Sequence, residues 1–231
     1  MIPKVIHKII IVDDGKMPKL SNGMKTALET FYRMNPGYKI KLYSGNDCVN
    51  YIKLYFDDKV LKTYNAIKPY AFKCDFMRQL ILFNEGGWYS DIRQVCLEPI
   101  DKLNAISKEY YTCMDSEINP NCMYNAFIGS IPHHPISSKM IDLIIWNVSH
   151  KHYGLDCLYV TGPGAYMNAC IDYIRHNGNM CCIGKHTMDE YIKFGDIKFM
   201  KCKYNDARGA DNSDLSGTND YGDMWRKRNV Y

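Results

Sequence analysis

Apolar residues first gather over 4–12, KVIHKIIIV, a β-branched run that stops at Asp13-Asp14-Gly15. A continuous apolar run bounded by turn residues predicts a buried first strand followed by a turn. From Ser21 the spacing becomes helical and holds to residue 34, where Asn35-Pro36-Gly37 closes it. Residues 38–43 predict a second strand. Asn46-Asp47 opens a helix over roughly 47–56, and a short helix covers roughly 57–65. Strand, helix, strand, helix is the opening of a Rossmann-like α/β unit.

Residues 68–85 carry the most regular helical pattern of the chain. Phe72, Phe76, Leu80 and Phe83 fall on one stripe. Asp75 and Arg78, three apart, sit together beside it. Gly86-Gly87 ends this helix. Residues 88–93 and 110–114 then predict strands, and 125–131 a strand or sheet edge. Pro132 to Pro135 breaks the chain before an amphipathic helix over 136–150. Thr161-Gly162-Pro163-Gly164 opens a helix over 164–176, and short strands follow near 181–184 and 197–201. The stretch 205–218, NDARGADNSDLSGT, is polar and glycine-rich and reads as a loop, after which Tyr221, Met224 and Trp225 require a packing surface. No internal repeat or low-complexity block stands out.

Length and composition add limits. The chain has 231 residues, enough for one α/β domain with its own core. Net charge is +4, and no basic stripe interleaved with aromatics is present, so nucleic acid is not an expected partner. Nineteen tyrosines against 8 phenylalanines suit stacking on sugars and bases, and equally suit an AT-rich coding bias. The ten cysteines include no Cys-x-x-Cys pair, so a zinc site is not expected. The N-terminal apolar run is short, is interrupted by Lys8 and runs into two acids, unlike a signal peptide or membrane anchor. Reduced, mostly buried thiols and a cytoplasmic location, host cytoplasm for a viral source, are the expectation. Oligomeric state is left open.

Candidate chemistry centres on Asp91, which follows a Gly-Gly turn and ends a strand. In open α/β sheets ligands bind beyond the carboxyl ends of strands. An acid there can hold a metal, a ribose hydroxyl or a sugar hydroxyl. Asp75 and Arg78 on the preceding helix suit a phosphorylated, polyhydroxylated ligand; spacing alone fits an exposed i,i+3 ion pair as well. His133-His134 between prolines reads as a loop or helix cap, His7 as a core histidine, and Arg226-Lys227-Arg228 as a solvated tail. No Gly-x-Gly-x-x-Gly, Walker loop or Ser-His-Asp set is present, which disfavours dinucleotide oxidoreductases, kinases of those types and triad hydrolases.

Four segments, IPKVIHKI, YAFKCDFMRQLILFNEGGWYSDI, NAFIGSIPHHPI and TGPGAY, resemble glycosyltransferase family 32. These are capsular-polysaccharide and Och1-like sugar transferases, related to clostridial toxin glucosyltransferase domains. The resemblance runs along nearly the whole chain and is densest over 68–93. It implies a single-domain GT-A fold, with a nucleotide-sugar-binding half (1–115), an acceptor half (116–204) and a C-terminal lid segment (205–231). It further implies transfer of a hexose or N-acetylhexosamine, with retention, from a nucleotide diphosphate sugar, UDP favoured, to a glycan or protein hydroxyl. Asp75, Arg78 and Asp91 would be the catalytic set. Ile9, Ile10, Ile11, Tyr70, Tyr89, Ser90, Arg93, Asn125, Gly162, Gly164 and Trp225 would complete the donor site.

The family's second metal-binding acid is Arg93 in this chain. Three outcomes stay open: Arg93 supplies the cation's charge to the diphosphate; Asp91 with a carboxylate elsewhere still holds Mn2+ or Mg2+; or the protein is inactive. The resemblance places the extra metal carboxylates at Asp220 and Asp223, just ahead of a lid tryptophan, Trp225. Two rivals of other classes are a non-catalytic nucleotide-sugar or carbohydrate-binding protein on the same fold and a metal-dependent phosphosugar hydrolase.

Overall fold

The computed structural model describes residues 1–205 and 214–231. Strand β1 (Val5–Ile9) runs parallel to β2 (Lys39–Tyr43), with helix α1 (Asn22–Met34) as the crossover. Helices α2 (Gly45–Tyr55), α3 (Asp58–Ala66) and α4 (Tyr70–Glu85) lead to β3 (Gly87–Ser90), which pairs parallel with β1 on its other side. Helix starts follow the sequence signals. Ser21 and Asp57 cap α1 and α3, and at α2 the Ser44 and Asp47 side chains each accept the other's backbone N–H.

The Gly86-Gly87 pair is required by space as well as by conformation. Both have positive φ, +65° and +95°. A Cβ on Gly87 would lie 2.5 Å from Val5 Cγ1 and 2.8 Å from Val5 O. Only glycine lets α4 turn directly into β3 against β1.

Beyond β3 the parallel, Rossmann-like order stops. Strand β6 (Met123–Ser130) pairs antiparallel with β3 and with β5 (Tyr110–Met114). Strand β7 (Cys181–His186) is parallel to β5, and β7, β8 (Tyr191–Phe194) and β9 (Ile197–Lys201) form an antiparallel meander. A two-residue strand β4 (Val95–Cys96) adds to β9. The result is one mixed nine-stranded sheet in the order β2-β1-β3-β6-β5-β7-β8-β9-β4. Helices α6 (Pro135–Ser149) and α7 (Pro163–Asn177) join α4 in the larger core, which includes Phe76, Leu80, Ile128, Ile144 and Tyr166. Phe31, Trp88, Phe127 and Phe199 form the second core. Helices α5 (Asp101–Asn104) and α8 (Tyr221–Arg226) are short.

Several elements depart from the sequence reading. Strand β3 ends at Ser90 rather than 93, because Asp91 N–H bonds Ala126 O and Gln94 N–H turns back onto Asp91 O. Strands β4 and β8 and helices α5 and α8 were not expected. All four are short, and tertiary pairing or capping holds them more than local pattern does. Helix α4 is buried on nearly every side from Phe76 to Leu82, so the single apolar stripe understates it. His7 is the expected core histidine: Nε2–H donates to Gly86 O and Nδ1 accepts from the Tyr43 hydroxyl, both at 3.0 Å. His134 caps α6 through Nδ1, as its position predicted. The expected loop 205–218 lies mostly outside the described residues. No helix among them is long and apolar enough to cross a membrane.

Candidate active site

A cavity of about 540 Å³ opens where β1 and β3 end. Ile9, Ile10 and Ile11 line it from the exit of β1, and Asp91 and Arg93 from the exit of β3. Tyr70, Asp75 and Arg78 reach it from α4 and Asn125 from β6, while Gly162 precedes α7. The fold thus brings residues 86 apart in sequence to one point: Thr161 Oγ1, beside Gly162, donates to Asp75 Oδ2 at 3.0 Å.

Asp75 and Arg78 are buried, 8% and 5% exposed, so the exposed surface ion pair is excluded. Arg78 lies at 3.1 Å from Asp75 Oδ1 and 3.5 Å from Asp91 Oδ1. It also donates to Asn125 O at 2.6 Å and Cys74 O at 3.3 Å, and stacks 4.4 Å over the Tyr89 ring. Asn125 Nδ2 closes the circuit on Asp75 Oδ1 at 2.9 Å, and Tyr89 OH donates to Asp91 Oδ1 at 2.7 Å. One guanidinium therefore fixes two carboxylates and a strand carbonyl. In this arrangement Arg78 aims the two acids while lining the cavity. The Asp91 side chain, 42% exposed against 10% for Asp75, is the acid that faces the cavity. Burial raises the Asp75 carboxyl to about 6, against the opposing pull of Arg78, Thr161 and Asn125.

Beneath the Asp91 turn lies a residue that the sequence reading treated only as an interruption. Lys8 is fully buried, packs 3.5 Å over the Phe31 ring, and donates to Ser90 Oγ (2.9 Å) and Asp91 O (3.0 Å). Burial pulls its ammonium down to about 7, partly offset by Asp91. A charged residue inside an apolar strand run was the signal available in the sequence. Ser90 belongs to this support and does not line the cavity.

Arg93 lines the cavity and pairs with Asp214. The other expected residues are placed elsewhere. Asp220 Oδ1 caps α8 by accepting Asp223 N–H at 2.9 Å, and Asp223 pairs with Lys227 at 2.7 Å. Trp225 Nε1–H donates to Tyr153 O at 2.7 Å, and the ring of Tyr159 fills the space beside Gly164. None of these four lines the cavity. Instead the C-terminal segment reaches the site through Asn219. Its Oδ1 accepts Tyr70 N–H at 2.9 Å, capping α4, which has no side-chain cap of its own.

The divalent ion expected from the Asp-x-Asp resemblance meets a poor donor set. Asp91 has Arg78 at 3.5 Å and Arg93, itself paired with Asp214, two residues on, while Asp220 and Asp223 are engaged in α8. Arg93 stands where the motif's second anionic ligand belongs, so the direct contact that this acid gives a divalent ion is missing here, and Asp91 is the carboxylate of the motif that remains.

Comparisons with known proteins agree with this geometry. The description "glycosyltransferase sugar-binding region containing DXD motif" matches residues 21–111. An uncharacterised glycosyltransferase of Acanthamoeba polyphaga mimivirus is 26% identical over 77% of this chain and 68% of its own length. The inositol phosphoceramide mannosyltransferase 2 of Schizosaccharomyces pombe is 28% identical over 71% of this chain, which spans only 44% of that relative. Among solved structures, PaToxG glycosyltransferase aligns with a TM-score of 0.57 at 20% identity, covering 78% of this chain and 73% of its own. The fold is thus that of GT-A-type glycosyltransferase domains. Together with the matched sugar-binding region and the glycosyltransferase relatives it defines a glycosyltransferase, one that is similar over residues 21–111 to the sugar-binding regions that carry a DXD motif.

Proposed function

We propose that the protein transfers a hexose or N-acetylhexosamine, with retention, from a nucleotide diphosphate sugar to a hydroxyl of a glycan or protein. The observation that carries this reading is the buried Asp75–Arg78–Asn125 group that holds Asp91 at the mouth of a cavity of about 540 Å³. Asp91 accepts donor-sugar hydroxyls, and Ile9 to Ile11 flank the base. Tyr70 and Asn125 border the sugar. Arg93, lining the cavity, meets the diphosphate and stabilises charge on the leaving group. The C1–O bond to the phosphate breaks as the acceptor oxygen bonds C1 on the same face, and the acceptor proton passes to the leaving phosphate oxygen. A cation carried by the chain makes transfer independent of Mn2+ or Mg2+ at Asp91. UDP-sugars are the favoured donors, and mannosyl transfer by the fission-yeast relative supports a hexose. Residues 1–115 act as the donor half, 116–204 as the acceptor half and 205–231 as a lid; Leu215 and Thr218 on the cavity wall support the last assignment. The site of action is the cytoplasm.

A panel of UDP- and GDP-sugars, screened for thermal stabilisation with and without manganese, tests this reading. Stabilisation by one donor family, with release of nucleoside diphosphate that vanishes in Asp91→Ala, is the expected result. Arg93 also favours a second reading, a nucleotide-sugar-binding protein without turnover. Stabilisation with no nucleoside diphosphate released selects that reading, and no shift with any donor rejects both.

A further inference from the structure

A second group of side chains on the cavity wall has no part in the circuit above. His186 ends β7, Glu190 precedes β8 and Cys202 follows β9. All three line the cavity, and their ligand atoms lie within 4.8 Å of one another. The meander builds this group tightly. Thr187 N–H bonds Tyr191 O at 2.8 Å, and Cys202 N–H bonds Glu190 O at 2.8 Å, which locks the two side chains onto one rung.

The imidazole is oriented for a cation. His186 Nδ1 lies 2.8 Å from Asp115 Oδ1, in a side chain 10% exposed. Donation from Nδ1–H to that carboxylate turns Nε2 toward Glu190 and Cys202. Nε2 is buried and has no hydrogen-bond partner, although Glu190 Oε2 lies 3.5 Å away. The Tyr124 ring packs 4.3 Å from the imidazole and its hydroxyl lies against Cys202. A carboxylate holding the outer nitrogen of a histidine, with the inner nitrogen beside a thiol and a second carboxylate, is the arrangement that orients zinc ligands.

We propose that His186 Nε2, Glu190 and Cys202 bind one Zn2+, with Asp115 orienting the histidine and a fourth coordination position open to the cavity. Nitrogen, oxygen and sulfur together select zinc over magnesium or manganese, which prefer oxygen shells. Bond lengths of about 2.0–2.3 Å place tetrahedral ligand atoms about 3.3–3.8 Å apart, so the side chains draw in by about an ångström. Three protein ligands with an open position mark an exchangeable site rather than a closed structural one. The site is separate from Asp91 and stands on its own residues, whatever donor the cavity takes.

The test is metal binding by the full chain. Protein dialysed against chelator is titrated with Zn2+ against a chromophoric indicator, and with Co2+ by absorption. The expected result is one equivalent of zinc, and cobalt spectra with tetrahedral d–d bands and a thiolate-to-cobalt charge-transfer band. Cys202→Ser abolishes the charge-transfer band, and His186→Ala and Glu190→Gln weaken zinc binding by about 100-fold. Asp115→Asn weakens it by about 10–100-fold. Cys182→Ser and Asp91→Asn leave both metals bound. Absence of bound zinc, or a charge-transfer band that survives Cys202→Ser, overturns the site and leaves an ion-pair cluster only. Where a variant fails to fold, as judged by circular dichroism, the stoichiometry and spectrum of the unaltered chain decide.

Discussion

The Asp75 carboxyl makes stability at mild acid pH a direct readout of the site. Raised from 3.8 to about 6, it holds its proton more tightly in the folded chain than in the unfolded one. Its contribution to stability is therefore full below pH 3.8 and is lost as pH rises through 6. Across the whole interval that amounts to about 3 kcal/mol, and between pH 4.5 and 7.5 to about 2 kcal/mol. Asp75→Asn keeps the shape and the contact with Thr161 while removing the titration. The difference in unfolding free energy, variant minus parent, is then expected to rise by about 2 kcal/mol from pH 4.5 to 7.5. Groups far from residue 75 cancel in that difference. Urea unfolding at 25 °C, followed by tryptophan fluorescence at several pH values, gives the number. A difference that stays flat, or that falls with pH, refutes the assignment of a buried, proton-holding carboxyl at position 75. It would mean instead that Arg78 compensates the charge fully.

Other consequences follow from the same neighbourhood. Lys8, lowered to about 7 by burial, contributes stability that is full above its unfolded value of 10.5 and lost as pH falls through 7. Lys8→Met removes that alkaline rise, so thermal unfolding scans of parent and variant should converge or cross between pH 7 and 10; parallel profiles would refute it. Gly87→Ala forces a methyl to 2.5 Å from Val5 Cγ1 at φ +95° and should cost about 2–4 kcal/mol, read as a lower urea midpoint with unchanged slope. Arg93→Asp replaces the cation by the second acid of the motif. It should give manganese-dependent thermal stabilisation by the nucleoside diphosphate; equal manganese dependence in the parent would refute the account of Arg93.

The division between what the sequence made legible and what it hid follows the range of the interactions involved. The Gly86-Gly87 turn, the α4 pattern and the caps at Ser21, Asp57 and Ser44 are local signals, and the chain adopts them within a few residues. The cluster at the cavity was legible for the same reason, since Asp75, Arg78 and Asp91 lie within one helix–turn–strand. Spacing could not say whether Arg78 was exposed, because its partners Asn125 O and Tyr89 are set by strand pairing and not by helical period. The expected metal carboxylates meet the same boundary. Asp220 and Asp223 keep a family-like distance from Trp225, yet that spacing is also the spacing of a helix N-cap and its third residue, and α8 forms there. The group at His186, Glu190 and Cys202 was invisible to motif reading because its third member arrives from a separate strand. An absence of Cys-x-x-Cys excludes only ligands supplied by a single turn. A meander can deliver the same chemistry from three strands, and the pairing of Cys202 N–H with Glu190 O is how this sheet does it.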